Sequence, residues 1–252
     1  MLGQLVSAIG STIQGTPLEE PLDRAYYDVW GPRQTEVILG GLTAKFNANS
    51  SSEYLSAKDL GGESEVIEAM LENLSEDDVV WDVGSFVGWH AALFGQIAET
   101  VAFEADPDTF AKLHQTCTLN PNASITPVCL GLGNPDAPRE RVGIVAGEGG
   151  EITEQDSNSR ATTIANPATL IDSSLTQPSA MKLDVQGLEG PVIAGFGDRL
   201  EELDVLFVEF HEGRMVGDWT PDKLHDHITD FGLEELMGLS RREDILKLYV
   251  RP

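Results

Sequence analysis

The 252-residue sequence predicts an α/β domain whose mostly parallel sheet is covered by helices on both faces. Three observations predict it. From residue 63 onward, short apolar runs alternate with segments of helical period. One of these runs, Val79–Val83, passes straight into a glycine-bearing turn at Gly84 and then into a helix. The next run ends in an acid, Glu104, 20 residues after Gly84. An acid at that offset is suited to accept hydrogen bonds from the ribose hydroxyls of a nucleoside.

Residues 1–60 read as an N-terminal helix/strand extension and residues 61–252 as the main domain. In the extension, Leu2, Leu5, Val6 and Ile9 fall near helical spacing, which predicts a helix over 1–13. Pro17, Pro21, Gly31-Pro32 and Gly40-Gly41 then break the chain into short pieces. Strands are expected at Tyr26–Val29 and Glu36–Leu39, and a polar turn at Asn47–Ser52. The main domain begins with a helix over Glu65–Leu74, which puts Val66, Ile67, Met70 and Leu71 on one face. The strand Val79–Val83 follows, then a helix over Ser85–Ala98 and a strand at Thr100–Phe103. A helix over Pro107–Leu119 turns Phe110, Leu113 and Cys117 inward. Strands are expected at Ile125–Leu130 and Arg141–Val145. Glu148–Asn166 is polar and reads as a mobile loop or hairpin. The strand Met181–Val185 leads to a helix over Leu188–Gly195, with Pro191 tolerated in its first turn. The strand Leu203–Phe210, a helix over Pro221–Phe231 capped by Thr220 and a closing strand Ile245–Val250 complete the reading.

Asp and Glu total 42 against 16 for Lys and Arg, a formal net charge of −26. Such a surface repels phosphates and anionic lipid heads, and there is no basic stripe, so nucleic acid is disfavoured as a partner. The acids are dispersed along the chain. Their mutual repulsion is screened by salt, because the Debye length falls to about 3 Å at 1 M. The composition is similar to that of proteins from salt-accumulating halophilic archaea. Cys117 and Cys129 form no metal-type spacing and fit a reducing cytosol. Met1–Gly15 has no basic residue and makes a poor signal peptide. No apolar run approaches the roughly 18 residues of a membrane span. A cytoplasmic location is therefore expected. A homo-oligomer is compatible with the sequence, which sets no oligomeric state.

The chemistry concentrates in Trp81-Asp82-Val83-Gly84-Ser85-Phe86-Val87-Gly88-Trp89-His90. A dinucleotide fingerprint needs glycine two residues after Gly84, and Phe86 stands there instead. Asp82 is a poor neighbour for a pyrophosphate but suits a cationic amino group, such as that of S-adenosylmethionine. The expected donor-binding set is Asp82, Gly84, Ser85, Gly88, Glu104, Ala105 and Asp106. An NAD-dependent oxidoreductase on a related fold, and a non-catalytic nucleoside-binding relative, remain as alternatives.

Several spaced blocks resemble the FkbM-type methyltransferases. Asp82-Val83-Gly84-Ser85-Phe86-Val87-Gly88-Trp89-His90 is similar to their Asp-Val-Gly-Ala-Asn-x-Gly-aromatic block, and Ala102–Pro107 to their Ala-Phe-Glu-Pro-x-Pro. Leu119-Asn120 resembles their helix-ending Leu-Asn. Met181–Glu189 resembles Lys-Ile-Asp-Val-Glu-Gly-x-Glu, and Val208–His211 the next strand end. The resemblance covers about residues 60–212. It implies a Rossmann-like class I methyltransferase fold with a mostly parallel seven-stranded sheet and S-adenosylmethionine as donor. It also implies O-methylation of a small-molecule or glycan acceptor, at a hydroxyl or carboxyl oxygen. The chain departs from the family at Phe86, Ala105 and Gln186, where the family has Asn, Pro and Glu.

Asp184, Glu209 and His211, at the ends of the fourth and fifth strands, are the expected catalytic residues. His211 is the natural base near neutral pH, and Asp184 would orient the acceptor or the donor's amine. Lys182 reads as a paired, buried lysine and Glu189 as a helix-opening acid. Asp184, Glu209 and His211 would also suit a divalent metal, but no metal ligand is assigned. His225 and His227, at i and i+2, diverge on a helix. Trp30, Trp81, Trp89 and Trp219 are candidates for a sugar pocket, with core packing the better reading for Trp81.

Overall fold

The computed structural model describes residues 31, 33–57, 60–135, 139–145, 152–153, 159–241 and 244–252. The helix expected over 1–13, the strand at 26–29 and Trp30 lie outside them. The described chain opens with a hairpin, β1 (Arg33–Leu39) and β2 (Leu42–Ala48), then α1 (Ser51–Ser56) and α2 (Ser64–Glu72). Next come β3 (Val79–Val83), α3 (Trp89–Phe94), β4 (Glu99–Glu104), α4 (Pro107–Leu119) and β5 (Ile125–Cys129). A smaller sheet follows from β6 (Gly131–Leu132), β7 (Arg139–Val145), β8 (Ile152–Thr153) and β9 (Ser159–Ala165), and leads into α5 (Pro167–Asp172). The chain then returns through β10 (Ala180–Leu183), α6 (Glu189–Phe196), β11 (Val205–Phe210), α7 (Pro221–Asp230), β12 (Glu234–Arg241) and β13 (Asp244–Val250).

The main sheet has seven strands in the order β12-β13-β11-β10-β3-β4-β5. Renumbered within the sheet, this is 3-2-1-4-5-7-6: a doubly wound order with one reversed strand, β13, inserted near the edge. The order turns back between β3 and β10, which are parallel neighbours. In such sheets ligands lie beyond the carboxyl ends of the strands at that switch point.

Period-2 alternation sorts the side chains onto two faces. Trp81, Val83, Met181, Leu183, Leu206 and Val208 pack on one side with Val192, Ile193 and Phe196 of α6 and Leu224 and Ile228 of α7. Val80, Ala180, Val205 and Phe207 pack on the other with Val66, Ile67 and Met70 of α2, and with Phe94 of α3. Ala44, Phe46 and Ala48 of the hairpin join this second core, where Phe46 meets Trp89 edge to face at 5.3 Å. Asn120 fixes the hairpin to the end of α4: its side chain accepts from Lys45 N at 2.9 Å and donates to Lys45 O at 2.7 Å. By the same alternation Asp82, Lys182 and Glu209 lie on the second face, and all three are buried there.

The structure differs from the sequence reading in four places. The helix expected over Ser85–Ala98 is only Trp89–Phe94, because Gly84, Phe86 and Gly88 all take positive φ and hold 84–88 as a turn. Asn47 and Ala48 end the strand β2 rather than open a polar turn, and only Asn49-Ser50 separate it from α1. There Ala44, Phe46 and Ala48 alternate with Lys45 and Asn47, and two small residues hide the apolar period. α5 was not expected, although Asn166 caps it ahead of Pro167. Nor was β12, an edge strand whose Glu234-Glu235 start reads as loop. Of the loop or hairpin expected over Glu148–Asn166, the described residues form β8 and β9, both antiparallel to β7. No helix of the described residues is long and apolar enough to cross a membrane.

Candidate active site

The ends of β3 and β4 are tied together by main chain. Gly84 N and Ser85 N both donate to Phe103 O, at 3.1 and 2.9 Å. Gly84 sits at φ 81°, and a side chain there would run into the carbonyl of Asp184 on the neighbouring turn, so only glycine fits. Glu104 joins the two turns: its carboxylate accepts from Phe86 N at 3.0 Å and from Asp106 N at 2.8 Å. Burial pushes the Glu104 carboxyl up to about 7, against the pull of those two N–H groups. Ser85 is buried and its hydroxyl donates to Asp82 O at 2.7 Å. Asp106 caps α4, accepting from Asp108 N and Thr109 N at 3.1 and 2.9 Å. Thr162 of β9 donates to Ala105 O at 2.6 Å and holds the third member of this turn from outside. The seven residues of the expected donor set therefore fall at the ends of two neighbouring strands, β3 and β4, and in the turns that follow them.

Beside them, the ends of β10 and β11 carry a cluster of charges. Lys182, 1% exposed, lies 3.4 Å from Asp184 Oδ2 and 3.8 Å from Asp82 Oδ1. Burial works against its charge, yet Asp184 and Asp82 hold its pKa above the usual lysine value. Both carboxylate oxygens of Asp82 are buried with no hydrogen-bond partner among the described residues. That burial raises the Asp82 carboxyl, with Lys182 pulling the other way. Burial would raise Asp184 as well, but Lys182 and His211 hold it below the ordinary carboxylate value. His211 Nδ1 lies 2.8 Å from Glu189 Oε1, and its Nε2 faces Asp184 Oδ1 at 3.7 Å and Glu209 Oε1 at 3.9 Å. Burial disfavours the imidazolium, but Glu189, Asp184 and Glu209 outweigh it and raise the His211 pKa. Of these groups Asp184 reaches solvent, with 21% of its side chain exposed against 1% for His211 and 2% for Glu209. Ligand atoms of Asp184, Glu209 and His211 lie within 4.8 Å of one another, a set of oxygens and an imidazole that suits a divalent cation.

Asp184, Glu209 and His211 are thus brought together, and Asp82 reaches them through Lys182. Trp81 and Trp89 are buried in the two cores. Trp219 lies flat against Gly190 at the start of α6, where a Cβ would strike its ring. His225 bonds Tyr249 Oη at 2.9 Å while His227 packs on Trp219, so the two imidazoles diverge. Three contributors were not singled out in the sequence. Glu63 and His90, 3.5 Å apart, are buried on the face that carries Lys182. Arg214 donates to Gln186 Oε1 above the strand ends. The one signal for Arg214 was its position three residues beyond His211.

A doubly wound sheet with a reversed seventh strand, a glycine turn after its first strand and an acid closing its second define a Rossmann-like methyltransferase. The chain is 30% identical over 211 residues to the hexuronic acid methyltransferase AglP of Haloferax volcanii, a match that spans 82% of this chain and 88% of that protein. It belongs to that methyltransferase family and is an S-adenosylmethionine-dependent enzyme, so the oxidoreductase alternative falls. No protein-family model matches the chain. Similar solved structures include precorrin-6y C5,15-methyltransferase of Geobacter metallireducens, at 14% identity and TM-score 0.46, covering 78% of this chain and 93% of that one. Another is TYW2 of M. jannaschii in complex with AdoMet, at 14% identity and TM-score 0.45, covering 87% of each chain.

Proposed function

We propose that this enzyme is an FkbM-type O-methyltransferase whose acceptor is a uronic-acid-containing saccharide. The observation that carries the donor half is the Asp82 carboxylate, buried at the switch point with neither oxygen hydrogen-bonded among the described residues and with Lys182 no closer than 3.8 Å. A buried carboxylate in that state has room for a hydrogen-bond donor, and the ammonium of the donor's methionine part is one. Gly84, Ser85 and Gly88 keep the turn close to the ligand. Glu104 has lone pairs to spare beyond its two backbone bonds and takes the ribose hydroxyls. Ala105 and Asp106 hold that carboxylate in place. When bound, S-adenosylmethionine supplies an electrophilic methyl on its sulfonium. The rate then rests largely on positioning the acceptor oxygen in line with it.

Asp184 is the group of the cluster that reaches solvent, so it meets the acceptor. His211 stands behind it, fixed by Glu189, and Glu209 closes the far side of the imidazole. In this reading the three act as catalytic residues. The saccharide acceptor is supported by the relation to AglP and the FkbM type by the spaced blocks. The acidic surface fits a salt-rich cytoplasm and argues against a nucleic acid substrate.

The test is calorimetric titration with S-adenosylhomocysteine in molar KCl. Micromolar binding, lost in Glu104→Ala and Asp82→Ala, is the expected outcome. Unchanged affinity in both variants would overturn the site.

A further inference from the structure

We propose that the guanidinium of Arg214 binds the carboxylate of the sugar acceptor and so selects uronic acids over neutral sugars. The proposal rests on the O-methyltransferase reading of the site and adds to it the residue that recognises the acceptor's charge. A protein of net charge −26 repels an anionic sugar, and a carboxylate brought beside Asp184, Glu189 and Glu209 meets further repulsion. A local cation has to offset this. Lys182 cannot, because it is buried and already lies between Asp82 and Asp184. His211 is buried as well, with Glu189 on one side and Asp184 and Glu209 on the other.

Arg214 has both the exposure and the position. It ends the short turn Glu212–Arg214 that follows β11, and 41% of its side chain is open to solvent. Its backbone is fixed over the strand ends. Arg214 N and Met215 N donate to His211 O at 2.8 and 3.1 Å, and Val216 N donates to Gly187 O at 3.1 Å. Gly187 lies so close to the Arg214 carbonyl that a side chain there would collide with it. The guanidinium itself touches two groups. It donates to Gln186 Oε1, and Asp244 Oδ1 lies 3.9 Å away. Gln186 in turn donates to Asp184 Oδ1 at 3.1 Å, which links the guanidinium to the cluster through one side chain.

Residue 186 is one of the three positions at which this chain departs from the FkbM pattern. A glutamate there would neutralise Arg214 and add a further acid beside Asp184. Glutamine holds the guanidinium by a neutral bond and leaves its charge, and the rest of its planar donor fork, for a carboxylate.

The test uses protein saturated with S-adenosylhomocysteine in KCl and measures binding of p-nitrophenyl β-D-glucuronide, the matching glucoside and glucosyl phosphate. Wild-type protein is expected to prefer the glucuronide over the glucoside. Arg214→Ala should reduce that preference about ten- to hundredfold, the worth of a charged hydrogen bond. Gln186→Glu should reduce it in the same direction by a smaller factor, and this arm stands even if Arg214→Ala folds poorly. Absence of a glucuronide preference in wild type, or its survival in Arg214→Ala, overturns the proposal. So does an Arg214-dependent preference for the glucosyl phosphate over the glucuronide. In each of those cases S-adenosylhomocysteine still binds and the methyltransferase reading stands. Failure of S-adenosylhomocysteine itself to bind overturns that reading, and this proposal with it.

Discussion

The carboxyl ends of β3 and β4 and those of β10 and β11 lie side by side in one sheet, yet they are held in different ways. At β3 and β4 the shape is set by main chain: positive-φ glycines, two N–H groups on Phe103 O, and a glutamate that bridges backbone to backbone. At β10 and β11 it is set by side-chain charge, with Lys182 among carboxylates and His211 held by Glu189. The first kind of structure tolerates an empty site. The second depends on every charge finding its counter-charge in a buried setting, where an uncompensated ion is costly.

The largest effect is therefore expected on the charged side. Lys182→Met should cost about 3–5 kcal/mol of stability, because it leaves Asp82 and Asp184 without their shared cation. Urea unfolding in molar KCl measures it. Adding Asp82→Asn to that variant should recover part of the loss, since the two sites are coupled. A double variant as unstable as the sum of its parts would mean that the charge network does not hold this end of the sheet together.

The same contrast explains what could be read from the sequence. Backbone-built features leave local marks: Gly84 and Gly88 in one block, and Glu104 at a fixed offset from the first. The core strands β3, β10 and β11 were legible because their apolar runs are short and each is interrupted by only one charged residue. The charge cluster leaves no such mark, since its members come from separate elements. Asp184, Glu209 and His211 could be named because they stand within one residue of the ends of strands β10 and β11. Glu63 and His90 could not, because each stands among residues of other periodicities and is buried only by packing of α2 and α3 on the sheet. β12 escaped for a related reason: an edge strand with a charged start has the composition of a loop.

A second, smaller effect tests the main-chain side through the titration of Glu104. Glu104 has a folded-state value of about 7 against an ordinary value of 4.5. The folded, ligand-free protein thus binds a proton there more tightly than the unfolded chain. Its contribution to stability is present at low pH and is lost as pH rises from about 4.5 to about 7. Donor binding has the opposite slope, because an ionised carboxylate is the better acceptor for two hydroxyls. Affinity for S-adenosylhomocysteine should be flat above about pH 7 and fall below it by up to roughly tenfold per pH unit. Glu104→Gln should flatten the profile. A slope that persists in the variant would assign the titration to another group.

The smallest effect separates the two ways a residue can serve the donor half. The Asp106 side chain is engaged in capping α4, while its main-chain N–H supports Glu104. If the donor half is a main-chain construction, Asp106 matters through the turn it holds. Asp106→Asn keeps a good cap and should leave both stability and S-adenosylhomocysteine affinity near wild type. Asp106→Ala should cost about 1 kcal/mol of stability, as the loss of an N-cap does. Its donor affinity should weaken only as far as the loosened turn lets Glu104 move. A sharp loss of affinity in Asp106→Asn, with stability intact, would show the carboxylate itself touching the ligand. The donor side would then depend on side-chain charge as its neighbour does.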